Sequence, residues 1–208
     1  YLKIYPYGSF SKVVSFYLAE IYFENERFDE ALFAYKKLVE GDISSYTEKA
    51  LTKIIQLLKN NNKEIKAIPY MEKLVEISSF KENKKFAKLN LMQAYYINKQ
   101  YEKTIETTEK ILKLPELTEN IKWDALKLRA RSFLALRDSL NAGDTYRLLE
   151  KSSQVIIASE AIYFRAYNFH LNKAYSESND LIAKIAESSG QAKEWTAKAL
   201  LLLAKNYY

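Results

Sequence analysis

The sequence repeats one pattern at a nearly constant interval, and this constrains the fold more than any other feature. A small residue follows an aromatic by three positions at Phe28–Ala31, Tyr101–Thr104 and Tyr175–Ser178. Completing the series places small-residue anchors at Ala31, Ala67, Thr104, Ala142 and Ser178, at spacings of 36, 37, 38 and 36 residues. After each anchor, apolar or small residues recur at i+4 and i+7, as in Ala31–Tyr35–Leu38 and Ser178–Ile182–Ile185. That period puts them on one face of a helix. An earlier helix precedes each anchor, with its own stripe: Leu18–Ala19–Tyr22, Leu91–Met92–Tyr95, Arg129–Ala130–Phe133 and Arg165–Ala166–Phe169. Two helices per roughly 36 residues, joined by short turns, make a helical hairpin repeat.

Composition agrees with this. Among 208 residues there are 4 Gly and 3 Pro, too few turn formers for a β-rich fold. The hydrophobic fraction of 48% suffices for a core, and the charged fraction of 28% for a solvated surface. Helices whose axes approach to 8–10 Å need small side chains at the crossing. Ala19, Ala31, Ala130, Ala142 and Ala166 are expected there, with Tyr22, Tyr35, Tyr95, Phe133, Tyr146 and Phe169 filling the wider gaps.

The pattern resembles the tetratricopeptide repeat (TPR). The early Trp of that family's first helix is Ser15 here, the residue after Leu is Ile55 or Met92 in two repeats, and Thr104 and Ser178 replace Ala. The resemblance implies an all-α, right-handed α-solenoid of about five hairpins plus one further helix. The expected hairpins are 9–43, 46–79, 83–115, 119–152 and 157–188, with 191–208 as the first helix of a sixth. Gly41, Pro115 and Gly190 are stop signals after second helices, and Asn60–Asn62 marks a turn. Pro69 requires the second helix of repeat 2 to start late, with Pro69 in its first turn, or else kinks it. YLKIYP is expected to end a preceding helix. Leu203, Ala204 and Tyr207 are expected as the stripe of the last helix, so the chain reads as a piece of a longer array.

Little here supports catalysis. There is no Cys and one His, His170, so neither a thiolate nor a two-His metal site can be built. No glycine-rich phosphate loop is present. Carboxylate pairs such as Asp29/Glu30 read as helix-start charges. The chain is expected to be non-enzymatic and to hold no cofactor or metal. No apolar stretch is long enough to span a membrane.

What remains is binding. In stacked hairpins the first helices line a groove. On the family pattern its residues are Phe16, Glu20, Phe23 and Glu24, then Gln56 and Lys59, then Gln93 and Tyr96. They continue with Lys127 and Arg131, then Tyr163, Tyr167 and His170, then Lys198 and Lys205. A protein or peptide segment with carboxylates near apolar anchors suits the cationic, aromatic C-terminal half. Reversing a groove charge, as in Arg131→Glu, is expected to weaken capture without lowering the melting temperature. The carboxylate clamp of some TPR domains needs Lys where this chain has Phe16, Thr52 and Leu89; only Lys127 matches, so the clamp is not expected. The basic excess, 32 Lys plus Arg against 26 Asp plus Glu, is dispersed. Its densest run is Lys81, Lys84, Lys85 and Lys88, so nucleic acid is a disfavoured partner. A structural spacer, or self-association through 191–208, is the alternative role. YPYGSF with FYLAEIYFENERFDEALFAYKKL resembles long TPR proteins of the Gram-negative cell envelope, of the Tol–Pal-associated and outer-membrane-assembly type. That implies a periplasmic or outer-membrane-associated protein, with the cytoplasm as alternative.

Overall fold

The computed structural model describes residues 1, 3–5, 8–187 and 190–208. All regular structure among them is helical. The helices are α1 (Ser11–Glu24), α2 (Phe28–Glu40), α3 (Thr47–Asn60), α4 (Glu64–Ile77), α5 (Lys81–Ile97), α6 (Tyr101–Leu112), α7 (Glu119–Ala135), α8 (Ser139–Leu149), α9 (Val155–Leu171), α10 (Tyr175–Glu187) and α11 (Lys193–Asn206). The chain divides into two compact units, residues 1–100 and 101–208. In the first, α1 to α5 each pack on the next in order; in the second, α6 to α11 do so, and α9 also meets α11.

The repeat positions carry the packing. Ala31, Ala67, Thr104, Ala142 and Ser178 have no solvent exposure. One turn on, Tyr35, Met71, Thr108, Tyr146 and Ile182 are buried; so, three residues later, are Leu38, Leu74, Ile111, Leu149 and Ile185. On the first helices of the hairpins Ala19, Ile55, Met92, Ala130 and Ala166 are buried too. A hydroxyl at an anchor needs a partner in this setting. Ser178 finds one by donating to the Ala166 carbonyl at 2.9 Å, and its Oγ accepts from Asn206 Nδ2 at 2.9 Å.

The turns inside the hairpins obey one rule. Before each of α2, α4, α6, α8 and α10 lies a three-residue turn whose middle residue has left-handed φ: Glu26 (57°), Asn62 (53°), Lys99 (58°), Arg137 (62°) and Lys173 (60°). The following N–H reaches back over the helix end, as in Arg27 N to Tyr22 O, Lys63 N to Leu58 O and Ala174 N to Phe169 O. This is the Schellman closure, usually made by glycine. Here five side-chain-bearing residues adopt it. In three of these turns the preceding Asn, at 25, 61 and 172, donates from its side chain to the carbonyl four residues back.

Two expectations are corrected, and a third falls partly outside the described residues. The second helix of repeat 2 starts at Glu64, so Pro69 sits six residues in and not in the first turn. The carbonyl that its missing N–H leaves without a helical partner belongs to Ile65, an exposed residue within reach of water. In α11 the buried residues are Ala199, Leu202 and Asn206, while Ala204 and Tyr207 are exposed and Leu203 is half-buried. Counterparts such as Ala19 and Ala130 are covered by the helix that follows theirs, whereas α11 turns its other side to α9 and α10. The reading of YLKIYP as a helix end falls partly on Leu2 and Pro6, outside the described residues; Tyr1 and Lys3–Tyr5 form a turn, with Tyr5 N donating to Tyr1 O at 2.8 Å. Tyr7 and Ser188, in the expected YPYGSF signature and fifth hairpin, also lie outside the described residues.

Between α4 and α5, Glu48 of α3 acts as a clasp. It accepts from Ser78 Oγ at 2.6 Å, Asn83 Nδ2 at 2.7 Å and the Ser79 N–H at 3.2 Å. Burial opposes its charge, but these hydrogen bonds and Lys84 together hold its carboxyl below the usual range.

These features generate three expected outcomes. Ala130→Leu should overpack its crossing and cost about 1–3 kcal/mol in urea unfolding, whereas Ala204→Leu at the uncovered counterpart should be near neutral. Lys173→Gly should stabilise by about 0.5–1 kcal/mol, since the left-handed turn then carries no Cβ. Glu48→Gln should destabilise at pH 7. A depressed carboxyl contributes above its unfolded-state pKa and loses that contribution as pH falls through the folded value, so the deficit should shrink below roughly pH 4.

Candidate functional site

The residues expected to line a groove lie on the first helices of the hairpins: α1, α3 and α5 in the first unit, and α7, α9 and α11 in the second. In both units the structure joins some of them, Glu20, Lys59, Arg131 and His170, to partners on the neighbouring first helix by polar rungs. Glu20 of α1 lies 3.8 Å from Lys53 of α3 and accepts from the Tyr35 hydroxyl. Burial and that carboxylate push the Tyr35 phenol well above its ordinary value. Lys59 of α3 donates to Asn90 Oδ1 of α5. Arg131 of α7 grips Glu160 of α9 with two hydrogen bonds, at 2.6 and 2.5 Å. His170 Nδ1 of α9 lies 2.6 Å from Asn206 Oδ1 of α11.

Within the first unit, Phe16 is buried against Tyr35 and Tyr46, at 6.1 and 5.0 Å between ring centres. Phe23 is half-buried, 5.7 Å from Phe28, with Lys53 Nζ 4.0 Å above its ring. Glu24, Gln56 and Gln93 are exposed and Tyr96 is half-buried.

The second unit assembles a denser surface. Tyr163 and Tyr167, one turn apart on α9, lie nearly parallel with ring centres 6.3 Å apart. Tyr167 continues to His170 at 6.1 Å, and His170 to Tyr175 at 5.8 Å. Trp195 of α11 lies 5.5 Å from Tyr163, with Lys198 Nζ 4.2 Å over the indole. Lys198 also pairs with Glu194 at 2.6 Å, which holds that exposed carboxyl below its usual range. Burial raises the Tyr163 phenol, against the opposing pull of Lys198. Lys127 pairs with Asp124 at 2.8 Å, and Lys205 is exposed at the far end of α11. The result is an aromatic shelf with Lys198 at its edge and Tyr167 40% exposed.

The sequence reading missed the partners. Lys53, Asn90, Glu160 and Trp195 each lie three residues before an assigned groove position, at Gln56, Gln93, Tyr163 and Lys198. One helical turn back on the same face is a signal that could have found them. Arg131 is corrected as a test position. Glu160 is 4% exposed and also accepts from the Tyr146 hydroxyl at 3.2 Å, so Arg131 neutralises a buried charge. Among the described residues no cluster of three His, Asp or Glu could hold a metal, and no helix is long and apolar enough to cross a membrane.

Comparison with known proteins places the fold. No protein-family model matches the chain, and no curated protein does. Solved structures do. The C-terminal part of a TPR repeat-containing protein from Cytophaga hutchinsonii aligns with a TM-score of 0.66 at 22% identity, over 90% of this chain and 72% of that one. MamA aligns at 0.57 and 15%, over 91% and 96%. A thermophilic TPR protein of Thermus thermophilus aligns at 0.50 and 12%, over 93% and 99%. The fold is therefore an all-α, TPR-like solenoid.

Arg131→Glu is expected to lower stability by roughly 2 kcal/mol, because it leaves Glu160 buried beside a second carboxylate; the partial exposure of Arg131 reduces the full buried-pair cost. Glu160→Gln should recover much of that loss in the double variant, measured by urea unfolding.

Proposed function

We propose that this chain is a non-catalytic, TPR-type scaffold that holds a protein segment against the first-helix face of the second unit. One observation carries this reading: the run Tyr163–Tyr167–His170, flanked by Trp195 and Lys198. Rigid aromatic rings supply contact area at low entropic cost, and tyrosine and tryptophan recur as binding hot spots. Lys198 at the edge favours a segment that carries a carboxylate beside its apolar anchors. The scaffold reading draws support from the TPR-like fold and from the engagement of His170 with Asn206, a partner that activates no nucleophile. A cell-envelope location rests on the resemblance of YPYGSF and the first hairpin alone; fractionation of the native protein tests it.

Selection of random displayed peptides on the chain tests the groove. Enriched peptides should be acidic and apolar. Tyr167→Ala or Lys198→Glu should weaken them at least about tenfold with the melting temperature unchanged. Enriched peptides that ignore both substitutions would remove the reading.

A second reading is self-association through α11, favoured by the exposed Leu200, Leu201 and Tyr207. Light scattering should then show a mass that rises with concentration and falls back on Leu201→Lys.

A further inference from the structure

A second cleft opens in the other direction, between α8 and α9, with a volume of about 200 Å³. It uses Gly143, Arg147, Phe164, Arg165, Asn168 and Phe169. Turning by 100° per residue, its α9 residues centre about 160° around the helix from Tyr163, Tyr167 and His170. The cleft is therefore separate from the aromatic shelf.

Three observations say what it takes. First, Gly143 sits five residues into an eleven-residue helix, where glycine costs stability. Its φ is not left-handed, and a Cβ there would meet nothing within 4 Å. Neither turn geometry nor close packing calls for glycine, and its effect is to leave the cleft wall open. Second, the floor is aromatic: Phe164 stacks on Tyr146 at 4.3 Å, and Phe169 lies beneath the Arg165 guanidinium at 5.8 Å. Third, the rim carries two arginines matched by two carboxylates, Glu150 of the cleft lining and Asp144 beside it, and the Arg147 pair is lightly held. Arg165 is paired with the half-buried Glu150 at 3.2 Å, but among the described residues Arg147 has only Asp144, at 3.2 Å, with both side chains about three-quarters exposed. Such a pair contributes little and yields readily to a better carboxylate. The Asn168 carboxamide, half-buried at the same wall, makes no hydrogen bond within the described residues.

We propose that this cleft is a docking point for a partner protein, seating one apolar side chain on Phe164 and Phe169 and the carboxylate of an adjacent acidic residue on Arg147 and Asn168. The volume falls below the roughly 300–1,000 Å³ of small-molecule sites, which selects a single side chain over a cofactor. The planar guanidinium selects a carboxylate over a neutral amide.

The test is an NMR titration of the ¹⁵N-labelled chain with three capped peptides: Ac-Asp-Phe-Asp-NH₂, Ac-Asn-Phe-Asn-NH₂ and Ac-Asp-Ala-Asp-NH₂. The first should give saturable shifts at the Gly143, Arg147 and Asn168 amides in the low millimolar range. The other two should bind at least about tenfold more weakly. Gly143→Leu, which fills the cleft and favours the helix, should abolish the shifts while the melting temperature holds or rises; Arg147→Ala should weaken them. Equal binding of the three peptides, unchanged binding to Gly143→Leu, shifts centred on Tyr163 and Tyr167, or no saturable shift overturns the proposal. Peptide selection on the shelf is a separate measurement, so either site can fail without the other.

Discussion

The structure depends on the close approach of helix pairs at small side chains. Ala31, Ala67, Thr104, Ala142 and Ser178 are wholly buried, and so are Ala19, Ala130 and Ala166 across from them. At such a crossing there is room for Ala, Ser or Thr but little more, whereas the position one turn on ranges from Tyr35 to Met71 to Thr108. One hairpin exposes the apolar face that the next one covers. A chain built this way is stabilised by neighbour contacts, and Ala204 displays the same position uncovered.

On this frame the first helices do two jobs. Their rungs, Glu20–Lys53, Lys59–Asn90, Arg131–Glu160 and His170–Asn206, tie neighbouring first helices within each unit. What the rungs leave over in the second unit is an aromatic shelf edged by Lys198, the surface proposed for recognition. Charges that look like binding residues in the sequence are partly committed to each other, and Arg131 shows the consequence most clearly.

The sequence made the fold legible because the anchors obey sterics, and sterics repeats. It located each anchor, the buried small residues Ala19, Ala130 and Ala166 of three first helices, and Tyr163, Tyr167 and His170 of the shelf, but neither Trp195 nor the buried face of α11. It did not show the rungs, because a pair such as Arg131 and Glu160 is 29 residues apart and depends on how two helices lie side by side. It left Pro69 either in a first turn or at a kink, and α4 carries it inside the helix, where the carbonyl left without a donor belongs to the exposed Ile65. It also gave no sign that Lys99, Arg137 or Lys173 would adopt a conformation usually left to glycine; there, closing a three-residue turn overrides local preference. The α8–α9 cleft was invisible for a related reason, since a mid-helix glycine is informative only once the space around it is seen.

Native-state hydrogen exchange, resolved by helix, tests the central claim most directly. If the small-residue crossings hold the fold, the slowest amides lie around Ala31, Ala67, Ala142 and Ser178 and opposite them around Ala19, Ala130 and Ala166, while the second half of α11, around Ala204, exchanges much faster. Uniform protection along all helices, or an Ala204 region as slow as that around Ala130, would contradict the account.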